Sequence, residues 1–348
     1  GREFQAAMSF SFFKKAKTPS ELVKATRDAL MALDTKTVAE VRLLDKALEE
    51  VDKNLSAMRQ MLIGDSETEP NSEQILQLAI EACKEDLPEL LVLKLSTLGW
   101  EARKDVVNIW CTLLTQKVSP TNYCLEYIEN HTELIDFLVS CYENKETALN
   151  CGNMLRECAK YPTLAKYMLE SASFELFFKY VELPNFDIAS DAFTTFKDLL
   201  TRHEMLVSEY LTKTYSQFFG LYERFLTSSN YVTRRQSLKL LSEFLLERPN
   251  GAIMVQYISE VRNLKVMMTL LKDPSKIIQS SAFHIFKVFV ANPSKPPAIS
   301  SLLFKNREKL VAFLESLHFG KEDEQFEEEK VIVINEIKGL QPSIDRHK

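Results

Sequence analysis

The stretch Pro184–His203, PNFDIASDAFTTFKDLLTRH, returns with substitutions at Asn230–Pro249 and again at Pro274–Pro293. Its apolar positions Ala189, Ala192, Phe193, Phe196, Leu199 and Leu200 follow the i, i+3, i+4, i+7 spacing that puts side chains on one face of an α-helix. Advancing the stretch by about 45 residues lays Leu238, Leu241, Phe244 and Leu245 over Phe193, Phe196, Leu199 and Leu200. A second advance reaches Phe283, Phe286, Phe289 and Val290. Weaker copies precede these, at Leu149–Leu155 and Val107–Leu113, at slightly shorter intervals. A chain built of such copies buries its apolar faces by stacking one copy on the next.

The period is that of HEAT and armadillo arrays. The predicted fold is all-α: an armadillo/HEAT-like helical-repeat solenoid, a right-handed superhelix with a concave binding face. A hydrophobic fraction of 45% supplies a core, while 8 Gly and 12 Pro in 348 residues leave little material for hairpin turns. GREFQAA (1–7) reads as a leftover of heterologous expression, and 8–17 as a mobile N-terminal arm, with a membrane anchor as its alternative. The single solenoid then covers 18–340: an N-terminal cap at 18–63, repeats at 72–317, and a charged cap helix at 321–340, followed by a flexible tail at 341–348. Thr18-Pro-Ser-Glu21 forms a capping box opening a helix over 19–33, and Thr37-Val-Ala-Glu40 repeats the signal for a helix over 38–63. Later helices are predicted in sets that include 186–202, 204–212 and 214–227, then 231–247, 251–258, 261–272 and 275–291, and one more ending near Leu317. Prolines 120, 162, 184, 249, 274 and 293 fall at the joints, where a missing N–H matters least.

Net charge is −6, which argues against nucleic acid as a bulk partner. Six cysteines, none in a C-x-x-C pair, sit mostly in apolar helical patterns of a long chain, so they read as reduced core residues in a cytoplasmic protein. No apolar run approaches the roughly 20 residues of a membrane span, and a monomer is expected.

The residues offer no active site. The five histidines are scattered outside H-x-x-x-H and H-E-x-x-H arrangements, and no Gly-rich phosphate loop or G-x-S-x-G elbow is present. Asp187, Asp191 and Asp198 share a helix with Lys197 and Arg202 and read as helix-surface pairing. No catalytic residue, cofactor or metal is therefore expected. What remains is surface. Opposite the core face, the repeat alignment sets Ser190, Thr194 and Lys197 in columns with Arg235, Lys239 and Ser242, and with Ser280, His284 and Lys287. In a three-helix repeat these columns line the concave face, giving a partly basic groove in an acidic protein. It reads either as an ordinary solvated face or as a seat for a folded, partly acidic partner. RNA fits less well, because a ladder of stacking aromatics is missing.

At NCGNMLREC (150–158), FDIASDAFTTFKDLLTRH (186–203), NYVTRRQSLKLL (230–241) and AFHIFKVFVANP (282–293) the chain resembles the calcium-binding protein 39 family, also called the mouse protein 25 scaffold, over about Met8 to Leu340. The resemblance implies a non-enzymatic armadillo-like scaffold that binds sterile-20-like kinases or pseudokinases and holds them active, either in a complex of two or with a third kinase in a ternary complex. It implies partner contacts at Tyr231, Arg235, Lys239 and Arg248. The family's aromatic contact three positions after that arginine is Gly251 here, which puts the surroundings of Arg248 in question. It also implies a pocket for a Trp-Glu-Phe tail peptide at Lys265, Met268, Lys305 and Lys309, although Met268 also fits the core pattern of LKVMMTLL. A general adaptor, such as a transport receptor for basic peptides, is the alternative. No D-x-[DN]-x-[DN]-G loop is present, so no EF-hand-type calcium site is expected.

Overall fold

The computed structural model describes residues 15–34, 43–116, 118–320 and 323–342. Among these there are 19 α-helices and no strand. The first is α1 (Pro19–Met31), and its capping box is formed as expected: Glu21 N–H donates to the Thr18 hydroxyl at 3.2 Å, and Thr18 N–H donates to the Glu21 carboxylate at 3.0 Å. The box expected at Thr37–Glu40 lies outside the described residues, as do 1–14 of the expected leftover and arm and 343–348 of the expected tail. The next helix begins at α2 (Leu44–Ile63). There follow α3 (Ser72–Lys84), α4 (Leu87–Lys94), α5 (Trp100–Thr115), α6 (Tyr123–Glu129), α7 (Glu133–Ser140), α8 (Ala148–Ala159), α9 (Pro162–Glu170) and α10 (Phe177–Tyr180). The series continues with α11 (Phe186–Thr201), α12 (Glu204–Leu226), α13 (Tyr231–Leu245), α14 (Gly251–Tyr257), α15 (Val261–Leu270), α16 (Lys276–Ala291), α17 (Pro297–Lys305), α18 (Arg307–Ser316) and α19 (Glu324–Lys338).

The chain divides into two compact units. One holds the described residues up to Leu176 together with Asn185–Thr195; the other holds Phe177–Pro184 and everything from Phe196 onward. In the first unit α1 packs on α2 and α3, α2 on α5, and α5 on α8, so each helix finds cover on a neighbour close in the chain. Beside that apolar packing lies a polar knot. Arg156 of α8 grips the Asp191 carboxylate with two N–H donors at 2.9 and 3.0 Å, and the Tyr142 hydroxyl donates to the same group at 2.7 Å. The surface pairing read from the sequence therefore holds for Asp198, which meets Arg202 at 2.9 Å, and fails for Asp191. Asp191 is turned inward because a basic residue on another helix outcompetes its own helix neighbours.

The second unit carries the repeat most clearly. Leu238, Leu241, Phe244, Leu245, Phe283, Phe286, Phe289 and Val290 are all at most 2% exposed, as the repeat alignment requires. Each such side chain contributes about 1.5–3 kcal/mol on leaving water. Phe178, Phe196, Phe218, Tyr222, Phe225 and Phe244 form a continuous aromatic cluster with ring centroids 5.1–6.3 Å apart. On α11 the core face includes Ile188, while Ala189, expected to be core, is only half-buried.

One helix reading holds here and one is corrected. The pair expected at 204–212 and 214–227 meets inside α12 at a kink, where Thr214 leaves helical geometry (φ −117°, ψ 18°). Its hydroxyl donates to the Tyr210 carbonyl at 2.8 Å, so the bend keeps its own hydrogen bond. Conversely, the single helix expected to end near Leu317 is α17 and α18. Asn306 parts them, its side-chain amide donating to the Leu302 carbonyl at 2.9 Å and ending the first.

Candidate protein-interaction surface

α13 and α16 pack side by side in the second unit, and the faces they turn away from the core form a groove of about 590 Å³. Arg235, Lys239, Ser242 and Glu243 come from α13; Lys276, Ile277, Ser280, Ser281 and His284 come from α16; Phe319 and Asp323 complete the lining. Asn230 starts α13 by accepting the Val232 and Thr233 amides at 3.0 and 3.4 Å, and Ser275 starts α16 by accepting the Ile278 amide at 3.4 Å. Matching starts put matching turns level, so of the nine residues aligned by sequence five of the six on these two helices, Arg235, Lys239, Ser242, Ser280 and His284, line one continuous surface. The sixth, Lys287, is drawn away to Glu329 of α19 at 2.6 Å.

The electrostatics favour an anion. Arg235, Lys239 and Lys276 are exposed and have no ion-pair partner among the described residues. Of the two carboxylates in the lining, Glu243 lies 3.4 Å from Lys197, and Asp323 accepts the Phe326 amide at 3.0 Å to cap α19. Burial and the neighbouring Lys287 ammonium hold the His284 imidazole below its ordinary pKa, against the opposing pull of Glu329 and Asp323. Its Nδ1 lies 3.4 Å from the Lys287 ammonium, which can only donate, so the neutral ring keeps its Nε2–H as the donor it has to offer.

Tyr231 and Arg248 lie outside this groove. Tyr231 opens α13, 40% exposed, with its hydroxyl 3.3 Å from Ser275 Oγ and the Arg234 guanidinium 6.0 Å from its ring centre. Arg248 is exposed in the 3₁₀ turn Arg248–Asn250. Gly251 follows that turn, and a Cβ added there would meet open space, so the missing aromatic is not compensated by a packed backbone. Of the four residues implied for a tail peptide, Lys265 lines a second pocket of about 510 Å³, where Arg262 meets Glu223 at 2.5 Å and Arg234 meets Asp273 at 3.3 Å. Met268 does not line it and is half-buried; the methionine that belongs to the core is Met267. Lys305 ends α17, which packs on α15, and Lys309 lies in the first turn of α18; both are exposed.

Sequence reasoning missed Glu243, Lys276, Ile277, Ser281, Phe319 and Asp323. Lys276 stands 45 residues after Tyr231 and was open to the same alignment. Phe319 and Asp323 sit in a joint outside the repeat, where no period points to them. Among the described residues no cluster of His, Cys, Asp or Glu could hold a metal, and no helix is long and apolar enough to cross a membrane.

A profile of the Mo25-like family matches residues 10–341. The chain belongs to that family. Mo25-like proteins are kinase-associated scaffolds, and relatives match this chain almost end to end. It is 48% identical over 332 residues to human Calcium-binding protein 39-like, covering 94% of this chain and 97% of that one. It is 43% identical to MO25-like protein 2 of Caenorhabditis elegans, covering 94% and 98% of the two chains. The Mo25-like protein of Schizosaccharomyces pombe is 40% identical, with 96% and 100% covered. The elements among the described residues of this Mo25-like chain are helical throughout, with no strand, as expected from the 45-residue period.

Proposed function

We propose that this Mo25-like chain is a non-catalytic scaffold that binds and allosterically activates sterile-20-like protein kinases or pseudokinases. Arg235 and Lys239 engage the kinase-like domain from the groove, with Tyr231 and Arg248 contacting it beside that groove. Lys265, Met268, Lys305 and Lys309 receive a Trp-Glu-Phe-type tail peptide, with methionine against its aromatic side chains and ammonium groups against its carboxylates. A third kinase joins to complete the complex. The observation that carries this reading is the groove itself: uncompensated cations on two neighbouring repeat helices of an otherwise acidic protein. A scaffold that grips the active kinase conformation more tightly than the inactive one shifts the population toward it without touching ATP, by as much as the two affinities differ. Two separate grips on one partner add effective concentration.

The test is the activity of a purified sterile-20-like kinase titrated with this protein, beside the Arg235→Ala and Met268→Ala variants. Saturable activation that each substitution weakens is the expected result. Kinases of this class that neither bind nor respond would sink the reading.

A further inference from the structure

We propose that the groove between α13 and α16 receives a phosphorylated serine or threonine side chain of the bound protein partner; the idea rests on the scaffold reading above and supplies the ligand chemistry of that face. Arg235, Lys239 and Lys276 approach one volume from two helices, and none is spent on a carboxylate among the described residues. Of the lining's own carboxylates, Glu243 is paired with Lys197, whereas Asp323 caps α19 and keeps its charge, so the three cations outnumber the one carboxylate left to face them. Ser280, Ser281 and His284 stand beside the cations and offer further hydrogen bonds.

A carboxylate brings one charge and two oxygens, whereas a phosphate monoester brings a charge of about −2 and three acceptor oxygens, which suits three cations and a set of hydroxyls better. The apolar part of the lining decides between a free anion and a peptide. Ile277 is 51% exposed and Phe319 half-buried at the groove, so a bare ion would leave both uncovered while residues flanking a phosphorylated side chain would cover them. A dianion there also favours the protonated imidazole of His284, which faces Lys287 on its own helix and Glu329 and Asp323 from the α19 side.

The experiment titrates the full chain with a short peptide, Ala-Leu-phosphoserine-Leu-Ala amide, and with its serine and glutamate counterparts, while the ring protons of His284 are followed by NMR. The expected result is a saturable shift of His284, a raised His284 pKa in the complex, and affinity at least about tenfold above that for either counterpart. Lys276→Gln and Arg235→Gln each remove most of that preference, and His318, paired with Glu327 outside the groove, stays unmoved. Equal affinity for the three peptides overturns the proposal. So does an unmoved His284 at saturation, or a preference that survives the two substitutions together. Capture by vesicles bearing phosphatidylinositol phosphates, with no response to the peptide, overturns it in favour of a lipid headgroup. Failure of the scaffold reading looks different: kinases do not respond even where the phosphopeptide binds. If the peptide fails while a dephosphorylated kinase is still activated in an Arg235-dependent way, the phosphate site alone falls.

Discussion

Gly152 shows how one residue type can be dictated by chemistry on another helix. A Cβ there would stand 1.9 Å from Asp191 Oδ1 and 2.8 Å from the Tyr142 hydroxyl. Asp191 cannot retreat, because Arg156 and Tyr142 both hold it. Gly152→Ala is expected to destabilise the protein by about 2–3 kcal/mol, the range of an overpacked interior that must also strain a charged pair. Urea unfolding checks this; an unchanged midpoint would mean the knot is not closed as described. Asp136 is a second case at this scale. Burial pushes its carboxyl up, but hydrogen bonds from Ser171, Tyr167 and Ser173 outweigh it and hold the group below its ordinary value. A lowered carboxyl pKa contributes stability that is complete above the unfolded value of about 4 and is lost as pH falls through the folded one. Asp136→Asn is therefore expected to lose stability at neutral pH, and its gap from the native protein should close between pH about 4 and more acidic conditions, as read from thermal unfolding across a pH series.

At the scale of the element, helix starts set the register of the surface. Asn230 caps α13, and the side chains that depend on that first turn are Tyr231 and Arg235. Asn230→Ala is expected to cost about 1 kcal/mol and to speed amide exchange over 231–235. Protection of those amides equal to that of the native protein would show that packing on α16 alone holds the turn. Asp323 caps α19 in the same way and also lines the groove, so Asp323→Ala is expected to lower stability by a similar amount, about 1 kcal/mol, while making the groove more positive. Thermal unfolding and phosphopeptide affinity measured on the same variant separate the two effects, since they move in opposite directions. The break at Asn306 is where local pattern misled, while the kink at Thr214 falls at the joint expected between 212 and 214. Apolar spacing continues across Asn306, and at both places a polar side chain bonds back to the carbonyl four residues earlier.

For the whole molecule, the six cysteines all fall between 83 and 158, inside the first unit. Burial pushes the Cys111 thiol up to about 11 and the Cys158 thiol up to about 12. A thiol reagent at neutral pH is therefore expected to reach Cys158 only when that unit opens, and Gly152→Ala should raise the labelling rate roughly 30-fold or more. Equal rates in the two proteins would show that Cys158 is reached without opening. The repeat, the helical class, the core faces of α13 and α16 and the shared column of Arg235, Lys239, Ser280 and His284 were all readable from the chain alone. Periodicity carries them, because the residues of one helix face are neighbours in sequence and the same spacing recurs 45 residues on. Which charges remain free on that column could be decided only in three dimensions. Lys287 is taken by Glu329, 42 residues away, and Glu243 by Lys197 on another helix. Asp191 is taken inward by Arg156, 35 residues before it. Met267 rather than Met268 enters the core, a choice that turns on where α15 meets its neighbours. Spacing along a chain determines which side of a helix a residue occupies; the packing of distant segments determines what meets it there.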